Sequence, residues 1–118
     1  MTLPLTLPPL LRLSDTVCAM AQIDTAAMAL LAQAGYQSVI NNRPDFEGGP
    51  DQPTSAALEA AAHAAGLAYA HLPVAPGYQS PEEALQFRAL LNTLPPPILV
   101  FCRTGTRSGK LFQAAMSS

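Results

Sequence analysis

Four short apolar runs recur along the chain, separated by polar segments that contain glycine or proline. They cover residues 16–19, 37–41, 67–74 and 98–101. Runs of this length that contain valine, isoleucine and leucine are typical of buried strands. The last run, ILVF, is apolar at every position, as expected for a strand of a parallel sheet with both faces covered.

Helical segments alternate with these runs, and their ends carry the residues that helices use as caps. Asp24 is placed to cap a helix that runs to about residue 34 and stops at Gly35. Thr54 or Ser55 can cap a second helix, which Gly66 ends.

The third helix has the most explicit start. Ser80, Pro81 and Glu83 supply a cap, a proline at the first helical position and the carboxylate of a capping box. Three consecutive prolines at 95–97 prevent this helix from continuing and lead into the ILVF run. A last helix is predicted from Ser108 onward.

The alternation of strands and helices predicts the fold class. It favours an α/β domain with a largely parallel central sheet, flanked by helices and joined by right-handed crossovers. A chain of 118 residues is expected to form a single domain, 1–118, with an irregular segment at 1–12. Ligands of such sheets bind beyond the carboxyl ends of the strands. Cys102 lies just past one such end, and the polar loop at 41–53 is predicted to leave the same edge.

The charge pattern narrows the classes of partner. The chain has six basic and eight acidic residues, a net charge of −2 and a pI near 5.5, so it lacks the basic stripe that a nucleic-acid-binding surface needs. Its apolar start is interrupted by Pro4, Pro8 and Pro9 and has no basic leader, which argues against a signal peptide. No window approaches the roughly 18 apolar residues of a membrane span. We expect a cytoplasmic location, in which the two distant cysteines stay unpaired.

Three of the six basic residues fall within one short stretch, FCRTGTRSGK, at 101–110. The loop after Cys102 is expected to curve around its glycine and to end on a helix N-terminus, so that successive backbone N–H groups form a nest for an anion. The residues that contribute this nest are Arg103, Thr104, Gly105, Thr106, Arg107 and Ser108. The same dipoles would lower the pKa of Cys102 and favour its thiolate.

Arg107 adds a guanidinium fork that suits two oxygens of a tetrahedral anion, and Ser108 could hydrogen-bond the sulfur. A nucleophile, an N–H cradle and a counter-charge in one segment predict a functional loop, although a free cysteine is more often a small buried hydrophobic residue. Arg103 is expected to be solvated or to make a secondary substrate contact. Lys110 is expected to be solvated.

Several of these stretches together resemble a known family. The motif CRTGTRS, the segment SVINNRPDFEG, the strand ending YAHLPV and the Ser-Pro-Glu-Glu helix start are similar to the phosphatase-like domain of beta-lactamase hydrolase-like proteins, a bacterial branch of the tyrosine and dual-specificity phosphatase superfamily. The resemblance covers about residues 13–115. It implies a protein-tyrosine-phosphatase-like three-layer fold, Cys102 as nucleophile and Arg107 as the oxyanion-binding arginine. It also places Arg43, Glu47 and Gln22 at family positions.

The loop departs from ordinary protein phosphatases in ways that keep other functions open. Those enzymes have one residue more between the cysteine and the arginine than the four found here, and the shorter loop is similar to that of rhodanese sulfurtransferases. Phe101 stands where a histidine is usual, and Pro76 stands where dual-specificity phosphatases have a general-acid aspartate. Without an acid an alkyl phosphate should be a poor substrate.

Asp45 and Glu47 are the candidate acids, because their loop leaves the same edge of the sheet. The alternative, which we favour, is that Arg43 pairs with one of them and holds the loop against the nest. His63 and His71 are expected to be structural, and no metal site or other cofactor is expected. Cys18 is expected to lie in the core, with a role as a resolving thiol for Cys102 as the minor alternative.

Three functions follow in order of preference. The first is a cysteine-dependent phosphatase-like hydrolase that acts on a phosphomonoester through a cysteinyl-phosphate. The second is a rhodanese-like sulfurtransferase that forms a persulfide on Cys102, and the third is a non-catalytic module that binds an anion or a phosphorylated partner. Each implies a small anionic substrate or ligand. The family chain usually continues for a further helix, so the resemblance leaves open that a wall of the site comes from another segment or another chain.

Overall fold

The central sheet fixes the position of every loop around the site. In the computed structural model, which describes residues 8–117, five strands form one sheet in the order β1-β2-β5-β3-β4. Their bounds are Leu11–Arg12 for β1, Val17–Met20 for β2, Ser38–Asn41 for β3, Ala68–His71 for β4 and Ile98–Phe101 for β5. The pairs β2–β5, β5–β3 and β3–β4 are parallel, and β1 runs antiparallel to β2. The largely parallel α/β sheet that the sequence predicts is confirmed.

Four helices flank the sheet: α1 (Ala27–Gln33), α2 (Ser55–Ala64), α3 (Pro81–Thr93) and α4 (Thr106–Met116). The Thr54 side chain caps α2 by accepting from the Ala57 N–H. Ser80 caps α3 in a complete capping box with Glu83 and Pro81 at the start, as the sequence predicts.

Alternate residues of the strands pack on opposite faces of the sheet, which gives the domain two apolar cores. On β5, Leu99 and Phe101 pack with residues of α1 and α2, whereas Ile98 and Val100 pack with residues of α3 and α4. This period of two is the direct result of the strand's pleat. A fully apolar β5 is therefore required, because both of its faces are covered and it lies between β2 and β3.

Several boundaries differ from the sequence prediction. Helix α1 begins at Ala27, because Asp24 caps a turn by accepting from the Ala27 N–H at 3.1 Å. Strand β4 ends at His71 rather than at residue 74, although the Leu72 and Val74 N–H groups still donate to the Asn41 and Asn42 carbonyls at 2.9 and 3.0 Å. Helix α4 starts at Thr106, two residues before the predicted Ser108.

Strand β1 lies within the segment 1–12 that was expected to be irregular, and residues 1–7 of that segment lie outside the described part of the chain. Within residues 8–117 no helix combines the length and apolar character needed to cross a membrane. The cytoplasmic location stays a prediction.

The carboxyl edge of the sheet brings three chain segments together. The Asn42 N–H donates to the Phe101 carbonyl at 2.8 Å, and the Cys102 N–H faces the Met20 carbonyl at 3.4 Å. The loops that follow β2, β3 and β5 therefore start side by side. The polar loop after β3 and the Cys102 loop meet at this edge, as the topology predicts.

Candidate active site

Cys102 lies at the base of the loop that joins β5 to α4. The residue is 1% exposed, and the Gly105 N–H donates to its Sγ at 3.1 Å. Gly105 takes a φ of +92°, a backbone conformation that side chains other than glycine rarely adopt, and α4 begins at the next residue. This turn of the chain aims backbone N–H groups at the sulfur.

The pKa of Cys102 is lowered from the ordinary value of a thiol, although the largest single influence acts the other way. Burial favours the neutral thiol and raises the pKa. Hydrogen bonds to the sulfur from the backbone and hydroxyl of Ser108 and from the N–H groups of Thr104 and Gly105 outweigh burial together. The thiolate is thus stabilised by the loop itself, with Phe101 in place of a histidine.

The Ser108 hydroxyl has one proton and two acceptors within reach. In the structure it donates to Asn42 Oδ1 at 2.8 Å, while Asn42 Nδ2 donates to the Leu72 carbonyl at 3.1 Å. The hydroxyl cannot at the same time donate to the Cys102 sulfur. The backbone N–H groups are therefore the steady donors to the sulfur, and Ser108 supports it only when its hydroxyl turns away from Asn42.

Arg107 lies in the first turn of α4 and is buried, with 8% of its surface exposed. Its Nη1 donates to the Val74 carbonyl at 3.0 Å and to Glu47 Oε2 at 3.1 Å, and its Nη2 donates to Glu47 Oε1 at 2.9 Å. These contacts occupy three of the five N–H donors of a guanidinium. Among the described residues nothing accepts from the buried Nε. The fork that can receive an anion is thus the edge of Nε and Nη2, and not the pair of terminal nitrogens.

Glu47 connects this arginine to a second one. Arg43 Nε donates to Glu47 Oε1 at 2.9 Å, and Arg43 Nη1 donates to Gln22 Oε1 at 3.1 Å. The hydrogen bonds from Arg107 and then from Arg43 lower the pKa of Glu47 against the effect of burial. The sequence alternative in which Arg43 pairs with an acid of its loop and holds it in place agrees with this geometry.

Asp45 is directed away from the cysteine loop. Its Oδ1 accepts from the Ser55 N–H at 2.7 Å, at the start of α2. Of the two acids expected to reach the site, one therefore fastens the loop to a helix and the other is held ionised by two guanidinium groups. A general acid has to carry a proton at the working pH, and neither carboxylate is placed for that role.

The open space above the sulfur is a cavity of about 200 Å³. Its lining combines the cysteine loop with the segment that follows β4, namely Pro76, Gly77, Gln79, Cys102, Arg103, Thr104, Thr106, Arg107 and Lys110. An adjoining cavity of about 520 Å³ is lined by Arg43, Glu47, Gly48, Pro76, Arg103 and Arg107. No carboxyl group is among the described residues that line the first cavity, whereas three cations are, so the cavity favours an anion.

The structure separates the sequence candidates into two layers. Cys102 and Arg107 meet at the cavity with three loop residues, Arg103, Thr104 and Thr106. Arg103 and Lys110 are exposed at its mouth. Arg43, Gln22 and Glu47 form a second layer that holds Arg107. His71 Nε2 lies 2.9 Å from the Arg43 carbonyl, and His63 is exposed on α2.

Cys18 cannot act as the resolving thiol in this arrangement. It pairs in register with Leu99, three residues before Cys102. At about 3.3 Å per residue this offset is roughly 10 Å along the strands, beyond the Cα separation that a disulfide allows. Cys18 is instead a hydrogen-bond partner of Tyr36; burial and then this contact raise the pKa of Tyr36 to about 12.

Two residues of the site were missed in the sequence. Asn42 anchors Ser108, and its position directly after the end of β3 was a usable signal, because that position belongs to the carboxyl edge of the sheet. Gln79 lines the cavity from the loop before α3. No local pattern distinguishes it, since only the fold brings that loop opposite Cys102.

Comparison with known proteins identifies the family. Residues 10–117 match the family model described as "Beta-lactamase hydrolase-like protein, phosphatase-like domain". The chain belongs to this family. A beta-lactamase hydrolase-like protein of Xylella fastidiosa strain Temecula1 is 35% identical over 100 residues, which are 85% of this chain and 23% of that protein. The Agrobacterium fabrum strain C58 counterpart is 30% identical over 101 residues, with 86% of this chain and 23% of that protein covered. The chain thus spans less than a quarter of the length of these relatives.

Solved structures support the same fold. A candidate phosphatase from Neisseria meningitidis Z2491 superposes with a TM-score of 0.80 at 32% identity, covering 86% of this chain and 72% of that one. A candidate phosphatase from Shewanella putrefaciens CN-32 superposes with a TM-score of 0.78 at 22% identity, covering 93% of this chain and 68% of that one. TpbA from P. aeruginosa, solved as a C132S variant with pTyr, superposes with a TM-score of 0.64 at 21% identity. The superposition covers 86% of this chain and 58% of that one. The protein-tyrosine-phosphatase-like fold predicted from the sequence is confirmed.

Proposed function

We propose that this phosphatase-like domain is a cysteine-dependent hydrolase of phosphate monoesters. The observation that carries the proposal is the buried Cys102 thiol with a lowered pKa, at the base of a cavity that Arg107 and the loop N–H groups line. The family and the fold support a phosphatase-type function, and the complex of TpbA with pTyr provides a precedent within the fold for a small anionic ligand.

The proposed reaction has two steps. The Cys102 thiolate attacks phosphorus, the bond from phosphorus to the ester oxygen breaks, and that oxygen departs with the electron pair. Arg107 and the loop N–H groups hold the non-bridging oxygens while charge builds on them. Water then attacks the cysteinyl-phosphate, phosphate leaves with the oxygen of that water, and the thiolate is restored.

The lining of the cavity restricts the substrates. Because no carboxyl group lines it in the described part of the chain, the departing oxygen receives no proton from a neighbouring acid. Esters whose leaving groups are stable as anions, such as aryl oxides, should react far faster than esters of alkyl oxides. The natural substrate of the domain should therefore be an activated phosphate.

Turnover of an activated aryl phosphate tests this function. Wild-type protein should release the aryl oxide, and the Cys102→Ser variant should be slower by at least about a hundredfold, the usual order of effect for a lost catalytic group. The Cys18→Ser variant serves as the control and should match wild type. Equal rates for wild type and Cys102→Ser would refute the proposal.

A second function, transfer of sulfane sulfur, is favoured by the same missing acid and by the four-residue spacing between Cys102 and Arg107. In this reaction the thiolate attacks the sulfane sulfur of thiosulfate, the sulfur–sulfur bond breaks and sulfite departs. An acceptor thiolate then takes the sulfur from the Cys102 persulfide. Neither step requires a proton donor to an alkoxide oxygen.

Intact-mass measurement separates the two functions. Incubation with thiosulfate should add one sulfur atom to wild type and none to Cys102→Ser if the domain transfers sulfur. Absence of an adduct, together with turnover of the aryl phosphate, would leave the hydrolase alone. Sulfate binding that survives Cys102→Ala, with neither turnover nor sulfur loading, would instead indicate a module that only binds anions.

A further inference from the structure

Two buried side-chain nitrogens have no acceptor among the described residues, and both belong to the same cavity wall. They are Nε of Arg107 and Nε2 of Gln79. A buried N–H group without a partner destabilises the fold, so native structures keep such groups mainly where a ligand or a catalytic role uses them. Because both residues line the cavity above Cys102, a ligand there that carries acceptors would supply the missing partners.

Gln79 is held in place by the start of α3. The next residue, Ser80, donates its N–H to Glu83 Oε1 at 2.8 Å and accepts from the Glu83 N–H at 3.1 Å. This capping box fixes the backbone directly after Gln79. Helix α3 in turn packs against α4, which carries Arg107. The two unpaired donors therefore come from two helix starts that are packed together.

We propose that the amide nitrogen of Gln79 donates a hydrogen bond to a non-bridging oxygen of a tetrahedral oxyanion bound above Cys102, beside the free edge of Arg107. The proposal rests on the proposed function, in that it assumes the cavity receives substrate. A phosphoryl group and thiosulfate offer the same oxygen arrangement, so this chemistry is common to both candidate reactions. Exposed Arg103 and Lys110 at the mouth add attraction for the same anion.

The neutral amide has a consequence for specificity. A carboxylic acid in this loop could protonate a departing oxygen, whereas an amide binds an oxygen and keeps its protons. Gln79 therefore stabilises the anion that is held and does nothing for a poor leaving group. With an amide and no acid in the lining, the cavity is suited to substrates with a stable leaving anion.

Calorimetric titration with sulfate tests the assignment without any chemistry. The titration is performed in Cys102→Ser protein, so that no covalent step occurs. Gln79→Met keeps the length of the side chain and removes the donor, and it should weaken sulfate binding about tenfold or more. Gln79→Glu, which replaces the donor with a negative charge, should weaken it further. Gln86→Met makes the same chemical change at an exposed position of α3 and should have no effect.

The outcomes divide clearly. Sulfate affinity in Gln79→Met equal to that in Gln86→Met would overturn the inference, provided both variants melt at the temperature of their parent. Failure of every variant to bind sulfate, phosphate or thiosulfate would overturn the inference together with the proposed function. Loss of affinity in the Gln79 variants, with no turnover by the wild-type protein, would support the role of Gln79 and refute only the hydrolase.

Discussion

At the scale of single residues, the charge of Cys102 is determined by a competition. Burial alone would keep the thiol protonated, and the hydrogen bonds of Ser108, Thr104 and Gly105 reverse that preference. Those bonds depend on the turn at Gly105, whose φ of +92° strains any other side chain. The stability of the thiolate thus depends on the loop backbone more than on any charged neighbour.

The ionisation of Cys102 can be followed directly. Thiolate absorbance in the ultraviolet, recorded against pH in a Cys18→Ser background, should rise with a midpoint below the roughly 8.5 of a free cysteine. Because the pKa is lowered by folding, the stabilisation linked to the thiolate is present above the unfolded pKa and is lost as pH falls through the folded one. Ser108→Ala should raise the midpoint only slightly, since the backbone donors remain. A midpoint at or above the free value would contradict the loop geometry.

Gly48 shows how closely Arg43 is packed in the second layer. A Cβ added at Gly48 would lie 2.7 Å from Arg43 Nη2, so Gly48→Ala should displace the guanidinium and with it Glu47. Overpacking of this kind costs about 1–3 kcal/mol. We expect lower stability in urea unfolding and weaker sulfate binding.

Gly109→Ala is the matched control, because its Cβ would meet Leu11 Cδ2 at an ordinary contact distance of 3.7 Å. This variant should leave sulfate binding intact, and the higher helix propensity of alanine should stabilise the fold by up to about 1 kcal/mol. Equal behaviour of the two variants would contradict this packing argument.

At the scale of elements, two helix starts lie at the cavity. Helix α4 begins directly after the Cys102 loop, and Ser80, the N-cap of α3, directly follows Gln79. The start of α3 was predictable, because Ser80, Pro81 and Glu83 each have a local reason to be there. The start of α4 was placed two residues late, since no side chain caps it and the turn at Gly105 does so through the backbone.

Removal of the α3 cap should affect both stability and binding. Ser80→Ala breaks the capping box and should cost about 1 kcal/mol, and it should also weaken sulfate binding because Gln79 loses its fixed neighbour. Thr54→Ala removes the cap of α2, which lies away from the cavity, at a similar cost in stability. Urea unfolding and calorimetry on the two variants check this. An equal effect on sulfate affinity would show that the α3 cap has no special role in the site.

At the scale of the whole molecule, the sheet brings together loops that are distant in the sequence, and local sequence patterns do not predict the contacts between those loops. The apolar runs were sufficient to predict a parallel sheet and to place Cys102 at its carboxyl edge. They could not show that Asp45 accepts a hydrogen bond from the start of α2 or that Glu47 accepts from two arginines. Those contacts depend on how loops from different strands pack. Gln79 was invisible for the same reason.

The network of Arg43, Glu47 and Arg107 links the loop after β3 to the start of α4, and it should make the fold sensitive to acid. Glu47 has a folded pKa below its unfolded value, so its stabilisation is present above the ordinary pKa of about 4.3 and is lost as pH falls through the lower folded value. Its side chain is only 19% exposed. Glu47→Gln leaves two guanidinium groups without their counter-charge, and at neutral pH it should cost about 3 kcal/mol.

Urea unfolding of wild type and Glu47→Gln across a pH series checks this expectation. The difference in the free energy of unfolding should be largest near neutral pH and should shrink in acid, where wild-type Glu47 is itself protonated. Sulfate should stabilise Glu47→Gln, because an anion that binds only the folded state replaces part of the missing charge. Glu59→Gln, at an exposed position of α2, is the control and should show no such dependence. A difference that stays constant into acid would mean that Glu47 acts through packing alone and that its carboxylate does not hold Arg107 in place.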